Sequence, residues 1–144
     1  MKDVNYKLRK AYATALTGLT VNTIAIPVYY LQAPESETGA NYIVLTSVAN
    51  VDDGNFHSTN TQTSMQLQIT TWAENANAGK MADDIAGAVF AIIYPTPQSV
   101  LDMTADGVQM VGTQLTDDRV TNDRFGDREY VTRIITFRHN IFHN

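Results

Sequence analysis

"MQLQITTWAENANAGKMADDIAGAV" runs from Met65 to Val89 and changes period partway. Met65, Leu67 and Ile69 alternate with Gln66, Gln68 and Thr70, the two-residue period of a half-buried strand. From about Asn75 the apolar positions become Ala78, Met81, Ala82, Ile85, Ala88 and Val89, the spacing of a helix face. A strand carrying two glutamines on its polar side therefore passes through Trp72 into a small-residue helix that ends near Ile93, where "YPTPQ" stops it with two prolines.

Working outward, the N-terminal side opens with a helix from about Asp3 to Thr17. Asp3 is placed to accept first-turn amides, and Val4, Leu8, Ala11, Tyr12, Ala15 and Leu16 form the apolar face. Gly18 supplies the stop. "TIAIPVYYLQAP" reads as a short extended segment in which Pro27 marks an edge strand or a first strand residue, because proline cannot donate to a ladder. "NYIVLTSVANV", Asn41 to Val51, is rich in β-branched and aromatic residues and reads as a strand. Asp52 to Thr63 is polar, small and without period, so the expectation is an extended loop between antiparallel strands, disordered in the free subunit and ordered by a neighbour.

On the C-terminal side two more strands are expected, about Val108 to Thr116 and Glu129 to Phe142, joined by a charged loop from Asp117 to Glu129. The fold class that results is α+β: one domain over residues 1–144, with a mostly antiparallel sheet of four to five strands packed against two α-helices. At 144 residues and 44% apolar composition such a chain can bury a sizeable core.

Chemistry is sparse along this chain. There is no cysteine, hence no disulfide, thiolate nucleophile or cysteine-based zinc site. Phosphate-cradling glycine loops, the H-E-x-x-H helix and the G-x-S-x-G elbow do not occur. His139 and His143 would sit about 13 Å apart on one strand face, too far to share an ion, and with His57 they read as surface or terminal histidines. Asp83 and Asp84 read as solubilising charge on an exposed helix face, and the aspartates of "TDDRVTNDRFGDRE" lack the ligand spacing of a calcium loop. The net charge of −5 disfavours a phosphate-binding surface, and the cluster Lys2, Lys7, Arg9 and Lys10 reads as a solvated helix face. No segment has the length and apolarity of a membrane span, so no membrane partner is expected. The expectation is a protein without catalytic residues, cofactor or metal.

What stands out instead is a set of strands apolar on one side and polar on the other. Gln66, Gln68 and Thr70 line one strand; Tyr130, Thr132, Thr136 and Arg138 line the last, opposite Val131, Ile135, Phe137 and Ile141. Such faces meet water or another subunit.

Three blocks in order, "NYIVL", "QLQITTWAENANAGKMADDIAGAV" and "DDRVTNDRFGDREYVTRIITFRHNI", resemble the tail-terminator, or tail-completion, proteins of long-tailed bacteriophages. The resemblance spans nearly the whole chain, with Asn41 where many members carry proline and a longer Tyr94 to Gly107 segment. It implies a structural virion protein, assembled in the host cytoplasm and located in the neck region of the tail. Its homo-oligomer would be a ring, six copies in the better-known members, that caps the head-proximal end of the tail tube and ends its polymerisation. Its partners would be the tail tube protein and a head-tail connector or stopper protein, with DNA passing through the lumen without specific binding. The alternatives are another neck component, such as a head-completion or stopper protein, and a small ligand-binding α+β domain. On this resemblance the subunit interface is expected at Asp117, Asp118, Arg119, Arg124, Arg128 and Tyr130, with Arg124 and Arg128 meeting a neighbour's carboxylates, and the tube or neck contact at Asp53, Asn55, Phe56 and His57.

Overall fold

The computed structural model describes residues 4–36, 39–52, 60–74 and 78–143. In chain order the elements are α1 (Asn5–Ala15), β1 (Thr20–Val21), β2 (Ile24–Ala25), β3 (Val28–Tyr30), β4 (Asn41–Asp52), β5 (Asn60–Glu74), α2 (Ala78–Ile93), a 3-10 turn (Thr104–Asp106), β6 (Val108–Phe125) and β7 (Arg128–His143). The class is α+β. A five-stranded sheet in the order β3-β4-β5-β7-β6 carries the fold, and β1 and β2 form a separate short hairpin.

The period change of the 65–89 stretch is realised in burial. Thr61, Thr63, Met65, Leu67, Ile69 and Thr71 of β5 are buried, while the residues between them are half-buried on the other face. In α2 the buried set is Ala78, Ala82, Ile85, Ala86, Val89 and Ile93, one stripe facing β5 and β7. Fully burying a side chain such as Ile85 contributes about 1.5–3 kcal/mol. Strand and helix are tied at their junction by the Thr71 hydroxyl, which donates to the Ala78 carbonyl at 3.0 Å.

Leu8 and Tyr12 of α1, with Leu16 at its C-cap, join the same core, against Ile43 and Leu45 of β4 and Ile135, Phe137 and Ile141 of β7. Both helices therefore cover one face of the sheet. Gly18, at φ +72°, takes the left-handed conformation that ends α1 at no steric cost. The helix begins at Asn5 with Val4 in the capping position and no side-chain cap; Asp3, the expected cap, lies outside the described residues.

Pro27 stands directly before β3, an edge strand, and its carbonyl accepts the Ile43 N–H at 2.9 Å. At an edge its missing N–H leaves no ladder bond unmade. β3 runs parallel to β4; the other pairs in the sheet are antiparallel.

Three expectations are corrected. Asn60 to Thr63, assigned to a loop, begin β5 and pair with β7, because Thr61 and Thr63 face the core and tolerate burial through their hydroxyls, as in Thr61 Oγ1 to His143 Nε2 at 2.9 Å. The charged segment from Asp117 to Glu129 is no loop. β6 continues through Phe125, a two-residue turn at Gly126 and Asp127 follows, and β7 starts at Arg128. Gly126 at φ +62° occupies the first central position, where a tight hairpin turn favours glycine. His139 and His143, expected at the surface, are buried at 0% and 4% exposure.

Candidate assembly surface

Strand register sorts the expected interface residues onto two faces. Directly opposed residues point the same way, so Asp117 with Thr136, Asp123 with Tyr130 and Phe125 with Arg128 lie on the face away from the helices. Asp118 with Ile135, Val120 with Arg133 and Arg124 with Glu129 lie on the helix side. Arg124 and Arg128 are thus on opposite faces of one ribbon. A loop would have let them converge; pleated strands do not.

On the outer face Arg128 stacks over the Trp72 ring at 4.2 Å from its centroid. Trp72 and Tyr130 are 6.4 Å apart, and Tyr130 and Phe125 meet edge to face at 5.5 Å. This ladder crosses β5, β7 and β6. It explains why the strand runs through a tryptophan: Trp72 shares the face of Gln66, Gln68 and Thr70 and supports the far end of the β6–β7 ribbon. Phe125 nonetheless remains 68% exposed. Asp117 pairs with Arg119 of its own strand at 3.3 Å. Between the ladder and β3 the outer face carries Gln66, Gln68, Thr132 and Thr136, with Tyr29 and Tyr42 in edge-to-face contact at 6.4 Å. Among the described residues no helix lies on this face.

On the helix side the decisive residue is Arg133, which the alternation placed on the apolar face of β7 beside Val131 and Ile135. Its Nε and Nη2 donate to the Asp118 carboxylate at 3.0 and 2.8 Å, and Nη1 donates to Asp83 of α2 at 2.9 Å. Hydrogen bonding to Asp118 raises its pKa further above the ordinary guanidinium value. Asp83 therefore ties helix to sheet, and Asp84 accepts from Lys80 and from Asn22, both at 2.8 Å, which lowers its pKa. Both carboxylates, read as solubilising charge on an exposed helix face, are also paired, with the Asp83 side chain still 69% exposed. A cation at an apolar-face position was the available sequence signal for Arg133.

The opposite lateral edge of the sheet is basic and aromatic. Arg9 of α1 lies over Tyr30 at 4.3 Å and Tyr6 at 4.9 Å. Together with Lys10, Ala13 and Leu45 these residues line a cleft of about 270 Å³ beside β3. α1 carries Lys7, Arg9 and Lys10 and no acidic residue. Asp53, Asn55, Phe56 and His57, the expected tube or neck contact, lie outside the described residues. Among the described residues no three His, Asp or Glu side chains gather to hold a metal ion.

A solved chain described as "Virion of native gene transfer agent (GTA) particle" shares this fold. It is 17% identical, with a TM-score of 0.52 over 96% of this chain and 91% of that one. A second solved structure, whose name states no function, is 11% identical with a TM-score of 0.55, covering 93% of this chain and 94% of that chain. No family model matches the chain, and no curated protein matches it. At these identities the shared property is the fold, over nearly the full length of each partner.

Proposed function

We propose that this chain is a non-enzymatic structural protein of a phage-like virion, and within it a tail terminator. In this reading copies close into a ring, six by the resemblance, on the head-proximal end of the tail tube. The ring ends tube growth and offers its free side to a connector or stopper. The observation that carries the reading is the full-length fold likeness to a chain of a gene transfer agent virion. Two features are in keeping with it: a sheet whose outer face no described helix covers, and an 18-residue edge strand, β6, which a small domain must protect or pair. The net charge of −5 suits a lumen past which DNA slides without sticking.

Electron microscopy of the purified protein mixed with matching tail tubes tests this. Rings on one end of tubes of uniform length are expected. Tubes that keep growing, with no protein at their ends, overturn the terminator role; rings that bind a connector but ignore tubes reassign the chain to another neck component.

A further inference from the structure

The three most exposed large apolar side chains among the described residues are Phe125 at 68%, Tyr6 at 64% and Leu31 at 62%. They divide between the two lateral edges of one sheet. Phe125 stands at the tip of the β6–β7 ribbon; Tyr6 and Leu31 stand beside β3, four strand spacings or about 19 Å across the sheet. Leu31 is held at φ +71°, a conformation that bulky L-residues rarely adopt, and its N–H is fixed to the Leu45 carbonyl at 2.9 Å. Strain that keeps an apolar side chain in water points to a contact made elsewhere.

The charges at the two edges are complementary. On the Phe125 side the tip shows Asp123 on the same face and Asp127 in the turn, while Arg128 is turned back onto Trp72 and Arg124 lies on the other face beside Glu129. At the β3 edge Arg9 is oriented by two tyrosine rings over the apolar cleft, with Lys7 on the same helix and Lys10 already paired with Asp106 at 3.1 Å.

We propose that the ribbon tip of one copy, Phe125 flanked by Asp123 and Asp127, seats on the Tyr6–Arg9–Tyr30–Leu31 surface of a second copy of this chain. The proposal rests on the ring reading. A contact between two different edges is heterologous, the kind that closes into a ring when each copy is rotated by a constant angle. Phe125 supplies the desolvated anchor and the aspartates set register against Arg9.

Replacing Phe125 by the photoreactive p-benzoylphenylalanine keeps an aromatic ring at the tip. Irradiation of the assembled protein is expected to link copies through residues 6–13 or 28–31, read by peptide mass spectrometry. Links confined to other regions, or none while light scattering shows an oligomer, overturn the docking and leave the ring standing. A wild type that stays monomeric at high concentration, with tubes present, overturns the ring itself. In a second arm, Arg9→Glu and Asp123→Arg should each weaken association about tenfold or more, and the doubly substituted chain should recover most of it. Loss without recovery overturns the pairing.

Discussion

Tyr12 Oη and His139 Nε2 lie 2.5 Å apart across 127 residues of sequence, joining α1 to the C-terminal part of β7 inside the core. The other ring nitrogen, Nδ1, is 3.1 Å from Thr113 Oγ1, and the ring also bonds the Gly112 backbone. Burial raises the Tyr12 pKa well above its ordinary value. With the Thr113 hydroxyl donating to Met110 Sδ, Nδ1–H donates to Thr113 Oγ1 and Nε2 is left to accept from the Tyr12 hydroxyl. A neutral imidazole completes this set; an imidazolium would place a charge in a buried site, which desolvation disfavours.

That arrangement makes stability depend on pH. Burial pushes the His139 pKa from 6.5 down to about 4. Between these values the unfolded chain holds the proton that the folded chain rejects. The contribution of His139 is therefore complete above about pH 6.5 and is lost as pH falls toward 4, by roughly 3 kcal/mol. Urea unfolding at several pH values, comparing wild type with His139→Gln, should show the steeper acid loss in wild type; parallel curves would contradict it.

Removing one partner tests the same network at constant pH. Tyr12→Phe leaves Nε2 of His139 without a donor in a buried site and should cost about 1–3 kcal/mol at pH 7.5. Equilibrium denaturation measures this, and a variant within error of wild type would count against the hydrogen bond.

Arg133 predicts an ordering rather than a single value. Its side chain is 18% exposed, Asp118 27% and Asp83 69%. Arg133→Met should cost about 1–2 kcal/mol, Asp118→Asn somewhat less, and Asp83→Asn about 0–1 kcal/mol because water screens the more exposed pair. Urea midpoints at low and high salt decide it, with salt weakening the Asp83 pair most.

At the ribbon turn, Gly126→Ala forces a side chain into φ +62° and should cost about 1–2 kcal/mol. Amide exchange should quicken first between residues 117 and 129. Protection unchanged there would mean that the turn holds its geometry without glycine.

Periodicity along the chain determined the two helices, the core-facing residues of β5 and the one-sided character of the sheet. These are local properties: a two-residue or 3.6-residue repeat of apolar side chains fixes which face seeks the core wherever the element ends up. Proline and glycine likewise marked the edge strand after Pro27 and the stop at Gly18. What the sequence could not determine was how far strands extend once their residues turn polar. Asp117 to Phe125 have no apolar alternation, yet they stay in β6 because β7 offers a continuous ladder, and the resulting pleat sends Arg124 and Arg128 to opposite faces. The histidines were misjudged and Arg133 went unread for the same reason: their surroundings depend on partners distant in sequence, Tyr12 for His139 and Asp83 for Arg133, which only the packing of helices on the sheet supplies. A polar side chain can be buried when its hydrogen bonds are satisfied, and that condition is set by tertiary structure.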